Sequence, residues 1–397
     1  MGQVGRRVLA ACVAMSASFA LWTTSWSQSL TWLGTLTGCV GSLASGVSAD
    51  GSVVVGYAWT ASYQYRAFRW TASGGMQDLG TFGGSSSEAY GVSANGAVVV
   101  GWAENASGEP RAFRWENGVM QDLGTLGGDY SFAYGVSASG AVVVGWALDT
   151  TGGGRSFRWT ASGGMQDLGD DPGSNAYGVS ADGLVVVGLS IGHAFRWTAA
   201  DGMQDLGTLP GYVGSQATGV SADGSVVVGW AWSPRRAFRW TASGGMQDLG
   251  TLGGFESVAT GVSADGSVVV GWAQNDSNWG RAFRWTAVDG MQDLNQLYAA
   301  LLQNGSVLEE AYSISPDGRY IVGLGYNAAT GRFEAFLLDT GGRTPGDVDG
   351  DGDVDDADLL EVLLAFGCSE SCGAADVNGD GVVDDEDLLT ILFNFGG

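Results

Sequence analysis

GVSADGSVVVGWA (residues 261–273), a short variable run, RAFRWT (281–286) and MQDL (291–294) make up one copy of a unit that recurs along most of this chain. Close copies begin at Gly46, Gly91, Gly135, Gly178 and Gly219, and a diverged one, SISPDGRYIVG, begins at Ser313. With Gly261 in its place, successive starts lie 45, 44, 43, 41, 42 and 52 residues apart by subtraction. Several short apolar runs within such a period are the mark of a repeat architecture.

Inside one period the pattern is β throughout. AYGVSA, AVVVGWA, RAFRWT and GMQDLGTL are short runs rich in Val, Phe and Trp. Turn chemistry separates them, Ala-Asp-Gly or Ala-Asn-Gly after the first and Ala-Ser-Gly-Gly or Val-Asp-Gly after the third. The absence of a 3.6-residue period excludes a helical repeat. Four antiparallel strands cannot bury both faces alone, so neighbouring units must stack, and radial stacking gives a β-propeller. There are seven unit starts but only six MQDL segments, at Met76, Met120, Met165, Met203, Met246 and Met291. The last unit ends at Glu334–Leu338 without one, whereas Leu30–Leu36 (LTWLGTL) reads like QDLGTL. That N-terminal strand is expected to complete a seventh blade and join the two ends of the ring.

His193-Ala194-Phe195 and the Arg-Ala-Phe-Arg-Trp forms, with the GVSADG and QDLG segments, resemble the bacterial extracellular HAF repeat family over residues 29–340. The resemblance implies an exported repeat domain and brings no established reaction. Export is also expected from residues 1–27, which read as a signal peptide. Arg6-Arg7 precede the apolar Val8–Trp22, and Ser25-Trp26-Ser27 forms a small-x-small site before Gln28. A lipoprotein box at Leu9–Cys12 and twin-arginine export are the alternatives. No later stretch is long and apolar enough to span a membrane.

After that leader the chain has no Lys and one His. Residues 28–343 carry 27 acidic and 15 basic groups, net −12, and residues 344–397 carry 15 acidic and none basic. Such a surface repels nucleic acid and anionic membranes, so neither is an expected partner. Cys39 stands alone near the sealing strand, and Cys368 and Cys372 lie close enough in an exported protein for a local bridge.

Residues present in nearly every unit are best explained by what every blade needs. The Asp of MQDL (Asp78, Asp122, Asp167, Asp205, Asp248, Asp293) and the second Arg of RAFRW (Arg69, Arg114, Arg158, Arg196, Arg239, Arg284) are expected to bridge strands or blades. His193 fills an Arg slot and is a scaffold variant. The Trp of AFRW and the apolar positions of VVVG are expected core. Variation concentrates in the second and fourth connections, for example 103–110, 148–154, 190–192, 273–280, 85–89, 170–176 and 255–259, which must emerge on one face. That is how a binding face on a scaffold looks, and equally how unconstrained loops drift. Trp59, Tyr63, Tyr65, Tyr130, Tyr212, Trp232, Phe255 and Trp279 lie there and could stack on sugar rings or on a protein. No Ser-His-Asp, Cys-His, HExxH or phosphate-loop arrangement is present.

Residues 341–346 read as a linker, and beyond them the chemistry changes. Asp347–Asp358 and Asp376–Asp387 are two twelve-residue calcium loops, 29 residues apart by subtraction. Hard Ca2+ takes six to eight oxygens, and alternate positions of a tightly wound loop deliver them. The expected ligands are Asp347, Asp349, Asp351, Asp353 (through its carbonyl), Asp355 (through water) and Asp358 in the first loop. In the second they are Asp376, Asn378, Asp380, Val382 (carbonyl), Asp384 and Asp387. Each loop runs into a helix with an apolar face, Leu359, Val362, Leu363, Phe366 and then Leu388, Ile391, Leu392, Phe395, stopped by Gly367 and Gly396.

A duplicated loop-plus-helix without the entering helix of a full EF-hand resembles a type I dockerin over residues 347–396. The resemblance implies docking to a cohesin and, by association, assemblies that degrade polysaccharide. Cohesin-recognising members often carry Ser or Thr at loop positions 10 and 11, where this chain has Asp356-Ala357 and Asp385-Glu386. The departure leaves calcium binding intact and puts the cohesin in doubt.

The expected architecture is all-β, a seven-bladed propeller (28–340) of four-stranded repeats, followed by a small α-helical dockerin-like module with two EF-hand-type loops (347–397). The expected function is that of a secreted or cell-surface, monomeric, non-catalytic binding or display protein, with a calcium-dependent module attaching it to a cohesin-like or surface protein. The alternatives are a component of a polysaccharide-degrading assembly, in which case any activity would be carbohydrate-active, and a structural surface or adhesion protein.

Overall fold

The computed structural model describes residues 28–169, 172–302, 304–341, 346, 348, 354–369, 372, 375–377 and 382–395. The leader reading (1–27), most of the linker, and the expected calcium ligands Asp347, Asp349, Asp351, Asp353, Asn378 and Asp380 lie outside the described residues. The chain separates into two compact units, Gln28–Gly342 and the region from Arg343 onward.

The first unit is a seven-bladed β-propeller of seven four-stranded antiparallel sheets. Blade 1 shows the pattern: inner strand Gly41–Val47, second strand Val53–Trp59, third strand Tyr65–Thr71 and outer strand Gly75–Asp78. Blades 2 to 6 repeat it. Blade 7 takes Val307–Ile314, Tyr320–Asn327 and Arg332–Asp339 from the end of the repeat region, and its outer strand is Ser29–Trp32. That strand pairs antiparallel with Arg332–Asp339, Ser29 opposite Asp339 and Trp32 opposite Phe336. The N-terminal strand therefore seals the ring.

The repeated motif has a physical reason at each position. In the SADG turn of blade 1, the Ser48 hydroxyl donates to Asp50 (2.7 Å) and accepts from the Val53 N–H (3.0 Å). Gly51 takes φ +69°, which favours glycine. Every inner strand carries a bulge just before its GVS segment, as between Ala89 and Gly91. The glycine of VVVG lies opposite the residue before the bulge, where the inner strand's backbone leaves no room for a side chain. A Cβ on Gly101 would lie 1.9 Å from Glu88 O, and one on Gly56 1.9 Å from Leu43 O. The fully buried layer is formed by the valines and by the Phe of AFRW (Phe68, Phe113, Phe157, Phe195, Phe238, Phe283), with Phe336 in blade 7. The Trp beside each Phe is less deep than expected: Trp115, Trp159, Trp240 and Trp285 are buried, Trp70 and Trp197 only partly. Phe and Trp, two residues apart, share one face of the strand and one core, with Phe deeper between the blades and Trp nearer the margin.

Adjacent blades share apolar cores and are also joined through backbone. Arg69, Arg114, Arg158, Arg196 and Arg239 each donate to the carbonyl of the turn glycine in the next blade, at 3.0–3.4 Å. A belt of main-chain hydrogen bonds also runs from turn to turn: Ala49 to Ala94, then Ala138, Ala181, Ala222, Ala264 and Pro316, each N–H donating to the next carbonyl. Pro316 has no N–H and ends the belt. The MQDL aspartates act within their own blade. Asp122 accepts from Gly124 N–H (2.8 Å) and lies 3.3 Å from Arg111 on the neighbouring strand. His193 and Asp205 (2.9 Å) make the same link in blade 4, as expected of a scaffold variant.

In the second unit, helices Asp356–Ala365 and Asp385–Asn394 begin with matching capping boxes, Asp355 with Asp358 and Asp384 with Asp387. Val348, Val354, Val362, Ala375, Val383 and Ile391 form its small core, with Leu359 and Leu388 packed against it. Of the expected apolar faces, Leu363, Phe366, Leu392 and Phe395 remain exposed. Cys368 and Cys372 are paired as a disulfide.

Candidate functional site

Inner strands run along the ring axis, so the residue preceding each GVS segment recurs there once per blade: Ser45, Tyr90, Tyr134, Tyr177, Thr218, Thr260 and, in blade 7, Tyr312. The small members stitch blades together. Ser45, Thr218 and Thr260 hydroxyls each donate to the next inner strand, to Ala89, Ala259 and Ala311 carbonyls at 2.8 Å. The tyrosines stack from blade to blade instead, Tyr90 on Tyr134 at 5.4 Å and Tyr134 on Tyr177 at 5.2 Å between ring centroids.

Two residues earlier, Glu88 and Glu310 stand in blades 2 and 7. Tyr90 donates its hydroxyl to Glu88 (2.6 Å) and accepts from the Trp102 indole (3.1 Å), and Tyr312 donates to Glu310. Segments 85–89 and 255–259 thus belong to the inner strands Gly83–Val92 and Gly253–Val262 and are not free connections. Burial pushes the Glu88 carboxyl above the usual carboxylate range, against the opposing effect of the Tyr90 and Trp102 hydrogen bonds. Burial, together with the Glu88 charge, raises the Tyr90 phenol.

With its folded value above its unfolded one, Glu88 holds its proton longer in the native protein. Its cost to stability is absent at acid pH and grows as pH climbs through the folded value. Glu88→Gln, which keeps an acceptor for Tyr90, is therefore expected to raise Tm at about pH 7 and leave it unchanged at about pH 4. Thermal melts at the two pH values check it, and an equal shift at both contradicts it.

The second and fourth connections do share one face. Exposed on it are Tyr63, Tyr130, Ile191, Val213, Phe255, Trp279 and Phe333, drawn from most of the blades. Among the described residues of the ring, the opposite turns expose only Val119, Leu184 and Val288 in this way. The remaining aromatics of the expected binding face pack. Trp59 and Tyr65 lie against Tyr57, Trp232 against Trp230, and Tyr212 accepts from Arg236.

Among the expected calcium ligands, Asp355, Asp358, Asp376, Val382, Asp384 and Asp387 are described. Asp358 and Asp387, at position 12 of their loops, are fully buried. Asp358 accepts from the N–H groups of Val348 and Asp355, and Asp387 from those of Val377 (2.7 Å) and Asp384 (2.9 Å). Both loops therefore direct the last carboxylate inward across the loop by the same two bonds. An oxygen-rich, acidic donor set of this kind suits a hard cation. Among the described residues no three His, Cys, Asp or Glu side chains are grouped so as to hold a metal, and no helix is long and apolar enough to cross a membrane.

The axial residues carry no motif of their own. Their signal is the one position before GVS that alternates between Tyr and Ser/Thr while its neighbours hardly change. No protein-family model and no curated protein matches the chain. Among solved structures it is similar to TolB from Acinetobacter baumannii, with 13% identity and a TM-score of 0.43 over 74% of this chain. It is also similar to a putative TolB from Agrobacterium tumefaciens, with 12% identity and a TM-score of 0.38, covering 75% of this chain and 88% of that one. The chain spans 65% of the length of the Acinetobacter protein.

Proposed function

We propose that this is an exported, non-catalytic binding protein. The propeller presents its variable face to a ligand, and the C-terminal module binds two calcium ions and docks the protein to a surface or partner. The observation that carries the reading is the one-sided exposure of large apolar side chains on the ring. Unpacked aromatic area concentrated on one face marks interaction surfaces. For the module, the support is the duplicated capping geometry around buried Asp358 and Asp387, and the exposed Leu360, Leu363, Leu364, Leu389, Leu392 and Phe393 on its two helices.

The face is tested by replacing the exposed turn residues 106–109 and 276–279 with Gly/Ser segments of equal length. Immobilised full-length protein is offered soluble polysaccharides and cell-surface protein extracts. The wild type is expected to retain a ligand and the double graft to lose it with Tm unchanged. Undiminished retention by the graft contradicts the reading.

A further inference from the structure

The blades are not equivalent at one junction. Between blades 6 and 7 the chain forms a short helix, Leu294–Leu297, and a 3-10 turn, Ala299–Leu301, where the other junctions have shorter links. Asp293 is buried and caps the helix, accepting from the backbone and side-chain N–H groups of Asn295 at 2.8 Å. Asn295 also clamps the blade 7 inner strand, donating to Leu308 O (2.9 Å) and accepting from Leu308 N–H (2.8 Å). The helix is thus held from both blades.

Facing it is the second connection of blade 6. Here Asn275 Oδ1 accepts from the N–H groups of Ser277 (3.0 Å) and Trp279 (3.1 Å), which fixes the turn. Between these two walls lies an open cleft of about 470 Å3, lined chiefly by Asn275, Asp276, Ser277, Gln292 and Gln296 over an apolar floor that includes Met291. The side chains of Asp276, Gln292 and Gln296 make no hydrogen bond to any described residue. They are uncommitted polar groups converging on one concavity, the arrangement by which a binding site fixes the orientation of its ligand.

Their chemistry narrows the ligand. The carboxamides both donate and accept, the carboxylate accepts, and no Arg or His lines the cleft. Two carboxylates, Asp276 and Asp293, repel an anion, and Asp293 is already committed to the helix cap. What satisfies closely spaced neutral donors and acceptors is a row of hydroxyl groups. On the turn that carries Asp276 and Ser277 stands Trp279, 67% exposed, and on the same blade Phe255, 70% exposed, each with an aromatic face suited to the C–H face of a sugar ring.

We propose that this cleft binds a neutral saccharide, with hydroxyls held by Gln292, Gln296 and Asp276. The proposal rests on the reading of the variable face as the binding face. The test titrates full-length protein with cellopentaose, xylopentaose and mannopentaose, and with trigalacturonate as the anionic counterpart, by calorimetry and tryptophan fluorescence. A neutral oligomer is expected to bind and the uronate not to. Gln292→Ala with Gln296→Ala, and separately Trp279→Ala, should each weaken binding about tenfold or more with Tm unchanged. Leu184→Ala, on the opposite face of the ring, serves as the control and should change nothing.

No binding of any neutral oligomer at millimolar concentration, or binding unaltered in both cleft variants, overturns the proposal. If binding survives the cleft variants but is lost on grafting 106–109, the cleft is wrong and the face reading stands. If it also survives the combined graft of 106–109 and 276–279, both fail.

Discussion

In excess chelator, the full-length protein is expected to lose the helical signal of residues 347–396 while the ring keeps its strands. Loop 347–358 holds seven acidic residues and loop 376–387 holds six, with no basic residue anywhere in 344–397. Without a cation these charges repel across a space of a few ångströms. The core that would oppose them is small: Val348, Val354, Val362, Ala375, Val383 and Ile391 are its buried members. Segments of about fifty residues seldom bury enough apolar surface to fold unaided. Calcium binding and folding of the module should therefore be one event, with dissociation constants of order 10⁻³ M or tighter. Calorimetry should count two ions, and Asp347→Ala with Asp376→Ala should remove both. Full helix content in chelator, or a stoichiometry of zero, ends the assignment.

Removing residues 28–36 should be the most damaging change to the ring. Trp32 meets Phe336 edge-on at 6.3 Å between centroids, and Leu33 N–H donates to Ala335 O at 2.9 Å. Leu30 and Trp32 cover a core cluster that includes Leu308, Ile321, Phe336 and Leu338. Without them, Arg332–Asp339 becomes a bare edge, open to pairing with another chain. The expected loss is several kcal/mol, a fall in Tm of about 10 °C or more, with concentration-dependent aggregation. Melting and light scattering decide it. A deletion variant that stays monomeric and equally heat-stable would show that Ser29–Trp32 does not hold the ring together.

Much of this was legible in the sequence because the repeat is read seven times. Seven starts and six MQDL segments fix the number of blades, and the surplus LTWLGTL identifies the sealing strand. Spacing alone located the SADG turns and the two helices. Less legible was anything set by the direction of a side chain. AFRW does not say that Phe is buried deepest and Trp covers the edge, since both are large and apolar. Residues 85–89 vary as a loop would, yet they extend the inner strand and bring Glu88 to the axis. Nor does the pattern Leu359, Val362, Leu363, Phe366 reveal that only Leu359 and Val362 find a partner core, because a helix stripe records what could be buried and not what covers it.

Pro316 gives the array a grammar. Each interior turn both receives a main-chain hydrogen bond from the turn before it and passes one to the turn after it. The seventh turn, SPDG, can receive from Ala264 but has nothing to pass on. It is a terminator, able to stand last and unable to replace an interior unit without breaking the belt. Interior units are different: their arginines and turn alanines address only the backbone of their neighbour. An interior unit can thus be exchanged for another, with its variable connections, and these backbone links stay the same, while the contact at the axis changes with the Ser, Thr or Tyr that the unit brings. The ring reads as an interchangeable series with one fixed last word, a layout in which the variable face can diversify by recombination while the terminal unit keeps its place.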